Sequence, residues 1–309
     1  MRKNQKLIEF FEDILGQENV KLNVPMKEYT TFRAGGNASY LLIANNEEQL
    51  KAAFAELAAN DVPTMILGAG SNILVRDEGF DGAFVKLSGD FAKISINDNE
   101  IEVGAGLKLS ALAAFARDNS LTGLEFACGI PGSVGGGIFM NAGAYGGELA
   151  DVIKTVRVLA KDGTINQLER DEMELSYRTS RFQKTGEIIL SAVFSLEHGV
   201  QGDIAAAMKE LMQSRNTKQP VSIPSAGSFF KRPQGGYAGK LIEDAGLKGL
   251  SVGDAQVSTL HSGFLVNVGS AKATDILELM KLVQEAVREK FGVDLHPEVR
   301  IVGRSEKND

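Results

Sequence analysis

Residues Cys128–Glu148 (CGIPGSVGGGIFMNAGAYGGE) hold eight glycines and no charge before Glu148. Glycine loses more backbone entropy on ordering than any other residue, so such a run is poor material for the middle of a helix or strand. What it permits is a close approach of backbone N–H groups to something large, flat or anionic. Pro131-Gly132-Ser133 reads as a turn into a short helix, whose free N–H groups could face a phosphate or a ring oxygen. The other reading is a glycine-rich surface loop. Ile130, Val134, Ile138, Phe139 and Met140 argue against it, because a solvated linker does not carry so many apolar side chains.

A chain of 309 residues with 43% hydrophobic content is long enough for two or three cores. A net charge of -7 and a pI near 5.2 argue against an extended nucleic-acid or acidic-membrane surface. The single cysteine, Cys128, rules out an internal disulfide and fits a reducing compartment. With no His or basic residue near it in sequence, it reads as a small buried hydrophobe rather than a nucleophile. The three histidines have no ligand spacing, so no metal site is expected. Leu7, Ile8, Phe11, Ile14 and Leu15 mark an amphipathic helix, and Glu9, Glu12 and Asp13 interrupt any signal-peptide core. No segment reaches transmembrane length, so the expectation is a soluble cytoplasmic protein.

Along the chain, Ala38–Ile43 has strand character and Asn45-Asn46-Glu47-Glu48 opens a helix carrying Leu50, Ala53, Phe54 and Leu57. Pro63 ends it and Thr64–Leu67 is a second strand, expected to run parallel to the first. The loop Gly68-Ala69-Gly70-Ser71-Asn72 then falls at a carboxyl end, where ligands sit in such units. It fails as a dinucleotide fingerprint, because Ile73 stands where a third glycine would be. A phosphate-cradling turn of backbone amides with Ser71 and Asn72 is the sharper reading. Hairpins follow at 92–103 and 152–168, with a helix through Leu109 and Leu112 between them. Tyr177–Phe182 is a loop and Glu187–Leu196 a strand. The boundary between a nucleotide-binding part and a smaller C-terminal part is expected near residue 200, with Lys218-Gln219-Pro220 opening the latter. A long helix over 274–291 has Thr274 as its expected N-cap and Gly292 as its stop. Residues 304–309 read as a frayed tail.

Negatives narrow the chemistry. Gly235–Leu241 resembles a P-loop at first, but its spacing is one short and Leu241 cannot ligate magnesium. No serine sits in a G-x-S-x-G elbow. Arg178, Ser228, Lys218 and Glu298 remain, scattered among glycine loops. Singly, each has a bland reading, as a surface ion-pair partner, a cap or a solvated charge.

Five motifs occur in one order: ILGAGSNILVRDEGFDG (66–82), GIPGSVGGGIFMNAGAYGGE (129–148), YRTSRF (177–182), AGSFFKRP (226–233) and HPEVRIVG (296–303). Together they resemble the UDP-N-acetylenolpyruvoylglucosamine reductase family over nearly the whole chain, in its shorter type without an insertion before the substrate domain. The resemblance implies an α+β protein with a vanillyl-alcohol-oxidase-type FAD-binding fold. Residues 1–90 and 91–200 would be its two FAD-binding subdomains, and 201–309 a smaller α+β substrate-binding domain. It implies non-covalent FAD, NADPH as co-substrate and an enolpyruvyl sugar nucleotide as substrate, with no nucleic-acid or membrane partner.

Residue by residue, the resemblance assigns Gly68, Ala69, Gly70, Ser71 and Asn72 to the FAD diphosphate. Gly129, Ser133, Gly137, Asn141 and Gly143 fall to the flavin, with Arg33 near the cofactor. Arg178, Ser228 and Glu298 match the catalytic residues. Lys218 and Arg232 match substrate contacts, although Arg232 stands where the longer type carries Asn. Two other readings stay open. A same-fold oxidase often tethers flavin through His or Cys, and Cys128 lies beside a glycine stretch. A non-catalytic nucleotide-sugar binding module would be free of flavin.

Overall fold

The computed structural model describes residues 2–304; the expected frayed tail lies almost wholly outside them. Chain contacts divide into two compact units. The first comprises the stretch up to Leu22, Tyr40–Ala69 and Gly82–Ser214, and the second Asn23–Ser39, Gly70–Asp81 and the chain from Arg215 onward. The division does not follow chain order.

In the first unit, helix α1 (Arg2–Leu15) buries Leu7, Phe11 and Leu15, and the Phe11 ring meets Tyr40 edge-on at 6.1 Å. Helix α2 (Glu47–Ala59) starts at Asn46, whose side chain accepts the Gln49 N–H at 2.9 Å. Its Leu50, Ala53 and Leu57 join Leu42 and Val85 in one core. A four-stranded sheet has the order Val20–Pro25, Asn37–Ala44, Phe80–Leu87, Thr64–Ile66. Thr64–Ile66 runs parallel to Ala83–Val85. Ser88 N–H donates to the Ala44 carbonyl at 2.9 Å, so the carboxyl ends of Asn37–Ala44 and Phe80–Leu87 lie together. The expected parallel arrangement is therefore present, with a third strand inserted between its two members.

A second, five-stranded sheet is antiparallel throughout, in the order Ile165–Glu169, Ile153–Leu159, Ile188–Ser195, Glu100–Gly104, Ile94–Asn97. Both expected hairpins are in it. Helices α3 (Leu109–Asp118) and α4 (Val134–Phe139) share its core, which holds Val103, Leu112, Ile138, Val156 and Phe194. One turn of helix, α5 (Phe182–Thr185), buries Phe182 and ends at Gly186 with φ +73°. Helix α6 (Gln201–Lys218) puts Ile204 and Met208 into the same core, and Lys218 is its last residue rather than the opening of a new segment.

The second unit holds an antiparallel sheet in the order Ser225–Ser228, Phe264–Asn267, Ala255–Val257, Ser251–Val252. Helices α7 (Ala238–Asp244) and α8 (Ala273–Phe291) share its core. The apolar stripe Ile276, Leu279, Met280, Val283 and Val287 is buried, together with Phe32 and Leu74. Arg300–Val302 pairs in parallel with Ile73–Val75. Gly292 stops α8 as expected, at φ +67°. Thr274, however, is not its N-cap. The helix begins at Ala273, and the Asp77 carboxylate accepts from Ala273 N–H (2.9 Å), Thr274 N–H (2.8 Å) and Thr274 Oγ1–H (2.7 Å). A carboxylate from a distant stretch outcompetes the local hydroxyl because it satisfies two orphan N–H groups and opposes the helix dipole. Among the described residues no helix is long and apolar enough to cross a membrane.

Candidate active site

The loop Gly68–Asn72 follows the strand Thr64–Ile66 at its carboxyl end. Among the described residues, the backbone N–H groups of Gly68, Ala69 and Gly70 meet no acceptor. Successive amides without partners are the kind of donors that a backbone anion cradle uses. The glycines are sterically required. A Cβ on Gly68 would stand 2.5 Å from Ser133 Oγ, and one on Gly70 (φ +66°) would stand 2.1 Å from the Tyr29 carbonyl oxygen. Next to Gly70 lies Thr30, whose Oγ1 is buried without a partner. A buried hydroxyl is costly to leave unpaired, so Thr30 has capacity for a ligand atom. Sequence reasoning missed it, since a threonine before a turn carries no distinctive pattern.

The glycine stretch departs from expectation at its helix. The first-turn N–H groups of α4 are not free. Val134 donates to Leu107 O (2.7 Å), Gly135 to Ala105 O (2.8 Å), Gly136 to Ser133 Oγ (3.2 Å) and Gly137 to Ser133 O (2.8 Å). Its glycines serve packing instead. A Cβ on Gly135 would meet the Ala105 methyl at 2.8 Å, and one on Gly137 would meet Leu109 Cδ1 at 2.8 Å. Gly129 is half-buried just ahead of this turn. Cys128 points its Sγ at the Met208 carbonyl, 3.7 Å away in α6.

Beyond α4 the backbone turns left-handed at Asn141 (φ +40°), a fully buried residue. Its Oδ1 accepts the Ala150 N–H at 3.0 Å and its Nδ2 donates to the Ser176 carbonyl at 3.2 Å. Arg178, also left-handed (φ +51°), donates through its guanidinium to Asn141 O (3.4 Å) and Gly143 O (3.0 Å). Asn141, Gly143 and Arg178 are thus brought together, and the Asn141 side chain is engaged inside the protein rather than offered to a ligand.

In the second unit, Ser228 ends its strand at an exposed position opposite Phe264. Phe229 and Phe230 turn inward with their rings 5.3 Å apart, and Phe229 meets Phe32 edge-on at 6.3 Å. They anchor the segment in the core rather than covering the hydroxyl. Glu298 N–H donates to Phe229 O at 2.8 Å, Phe230 bridges to Pro297, and Asn72 Nδ2 donates to Glu298 O at 3.3 Å. Backbone pairing therefore gathers Ser228, Glu298 and Asn72.

The other assigned residues of this unit sit apart in kind. Arg33 is exposed at φ +53°, in a turn whose Phe32 and Arg33 carbonyls accept from the buried Asn267 amide at 3.2 and 3.3 Å. Lys218 is exposed at the end of α6. Arg232 is exposed and stacks its guanidinium 4.6 Å above the Tyr237 ring. His261, two residues before Gly263, accepts the Gly263 N–H on Nδ1 at 3.1 Å. Burial pushes its imidazole below the usual histidine range.

Comparison with known proteins places two families on the chain. A family model described as "FAD binding domain" matches residues 38–169, and one described as "UDP-N-acetylenolpyruvoylglucosamine reductase, C-terminal domain" matches 219–302. The open amides of Gly68–Gly70 and the unpartnered Thr30 hydroxyl fit a diphosphate-bearing cofactor. Fold and matched models together define an α+β protein with an FAD-binding domain.

The match extends over the whole chain. A UDP-N-acetylenolpyruvoylglucosamine reductase of Clostridium novyi is 48% identical over 305 residues, covering 99% of this chain and 98% of that one. Its counterpart in Clostridium tetani is 48% identical over 294 residues, 95% of each chain. The crystal structure of the Thermus caldophilus reductase superposes with a TM-score of 0.78 at 37% identity, covering 91% of this chain and 97% of that one. The chain belongs to the UDP-N-acetylenolpyruvoylglucosamine reductase family.

Proposed function

We infer that the chain reduces UDP-N-acetylglucosamine enolpyruvate to UDP-N-acetylmuramate with NADPH and FAD, a cytoplasmic step in bacterial peptidoglycan precursor synthesis. The observation that carries the reading is the loop Gly68–Gly70, with three open amides in a chain that matches reductases of this name end to end. FAD, when bound, supplies the redox chemistry, taking hydride from NADPH and passing it to the alkene of the substrate. Gly68–Asn72 and Thr30 would hold its diphosphate, and Gly129, Ser133 and Gly143 would lie about the ring system. Arg33 is a further contact.

The chain's own residues have three tasks. Negative charge builds on the substrate carbon next to its carboxylate as hydride arrives. A guanidinium already fixed in place, as Arg178 is by the carbonyls of Asn141 and Gly143, stabilises that charge without reorganising. Ser228 donates the proton to the same carbon. An alcohol is a weak acid, so this works only towards a strongly basic centre and depends on position. Glu298, paired in the backbone ladder beside Ser228, is the accompanying acid group. Lys218 and Arg232 meet the substrate's diphosphate as positive charges. Residues 1–90 and 91–200 serve the cofactor and 201–309 the substrate, a division of labour that differs from the division into packed units.

Separate anaerobic half-reactions test this reading. Ser228→Ala should retain FAD and its reduction by NADPH, and slow reoxidation by the enolpyruvyl substrate by on the order of 10²–10⁴. Wild-type reoxidation in that variant, or an equal loss of the NADPH step, would remove Ser228 from proton transfer. Protein that neither holds nor binds FAD would refute the whole reading.

A further inference from the structure

The segment Ser176–Gln183 is fastened to the carboxyl end of α4. Ser180 Oγ–H donates to Phe139 O at 2.7 Å, and Gln183 Nε2–H donates to the same oxygen at 2.8 Å. Phe139 is the last residue of α4, where main-chain carbonyls are commonly met by side-chain donors from outside the helix. Gln183 Nε2 also reaches the main-chain carbonyl of Arg178 itself, at 3.1 Å. One exposed amide thus bridges the helix end and the backbone of Arg178. At the other end of Arg178, the guanidinium donates to Asn141 and Gly143, two and four residues beyond the end of α4. Both ends of this residue are tied to the stretch 139–143.

These ties matter because Arg178 is held at φ +51°, a conformation L residues rarely adopt. Around it the chain closes on itself through a small ladder, in which the N–H groups of Ser176 and Thr179 donate to each other's carbonyls at 3.1 and 3.0 Å and Thr179 Oγ1–H donates to the Tyr177 carbonyl at 3.2 Å. We propose that Gln183, assisted by the buried Ser180, is a positioning residue for Arg178, setting the guanidinium from the end of α4 rather than from its own loop. The proposal rests on the reading of Arg178 as the charge-stabilising group. Gln183 is suited to such a role because it is exposed and adds nothing to the core, so its loss displaces the loop without unfolding the unit. Ser180 is buried and belongs to the packing as well.

The test uses FAD-loaded enzyme and three readouts: reduction by NADPH, reoxidation by the enolpyruvyl substrate, and hydrogen exchange at residues 176–181. Gln183→Leu removes both donors at similar volume, and Gln183→Glu removes them while keeping the shape. Each should leave the NADPH step and the melting temperature close to wild type. Each should hasten exchange over 176–181 and slow reoxidation by on the order of 10-fold, since small misplacements of a catalytic group are costly. kcat should fall more than KM rises. Arg178→Ala should slow reoxidation further, and Arg178→Ala with Gln183→Leu should be no slower than Arg178→Ala alone, because nothing remains to be positioned. Unchanged reoxidation in both Gln183 variants, or losses that multiply in the double variant, would overturn the positioning role and leave that of Arg178 standing. Wild-type reoxidation in Arg178→Ala would overturn both.

Discussion

At Gly70 a single added methyl group decides whether the loop Gly68–Asn72, proposed to hold the cofactor, can exist. The residue combines φ +66° with a would-be Cβ only 2.1 Å from a backbone oxygen, which cannot move aside as a side chain could. Gly146 has φ +91° but nothing within 4 Å of its Cβ position. Gly146→Ala should therefore cost only the left-handed penalty, about 1–2 kcal/mol, and keep FAD. Gly70→Ala should distort the three open amides and lose FAD on gel filtration; retention equal to Gly146→Ala would show that the loop tolerates the methyl. The glycines as a group were legible in the sequence, but their individual reasons were not. Gly70 answers to a backbone approach, whereas Gly135 and Gly137 answer to Ala105 and Leu109, partners that no local pattern discloses.

Helix α8 shows how an element takes its boundary from elsewhere in the chain. Its apolar stripe and Gly292 stop follow from periodicity and are where the sequence puts them. Its start is set by Asp77, which accepts three hydrogen bonds at Ala273 and Thr274. Asp77→Ala should destabilise the protein by about 1–2 kcal/mol, the usual worth of a helix cap. The urea midpoint should fall with an unchanged m-value, and Thr274→Val should cost less because it removes one of the three bonds. Equal midpoints for Asp77→Ala and wild type would mean that water replaces the carboxylate without loss. Helix α4 is the converse case. Its existence was legible, but not its Ser133 cap, and its first N–H groups are occupied by Leu107 and Ala105 rather than free as expected, whereas those of Gly68–Gly70 meet no acceptor among the described residues.

For the whole molecule, pH enters through His261. Desolvation is the chief cause of its depressed pKa, with Lys248 pushing the same way and Glu243 opposing. The unfolded chain, with its imidazole near an ordinary value of about 6.5, then binds the proton more readily than the folded one. Stability therefore rises with pH through the window between the folded and unfolded values, and is lost as pH falls from neutrality through it. Melting temperature measured from pH 8 to 5 should decline, and His261→Gln should flatten the part of the decline between those two values. An identical slope in the variant would assign the acid sensitivity to other groups.

Local pattern by itself determined most helices, both hairpins, the two glycine loops and, through ordered motifs, the family. These rest on spacing within ten to twenty residues, where a 3.6- or 2-residue period states which face is apolar. Only the tertiary structure decided that Asn23–Ser39 and Gly70–Asp81 pack with the C-terminal part. It alone gathered Ser228, Glu298 and Asn72 into one backbone ladder and fastened Arg178 to the end of α4. The physical reason is that a backbone donor or acceptor looks alike in every residue. Which one it pairs with depends on what burial of the apolar faces brings alongside, and that is a property of the whole chain.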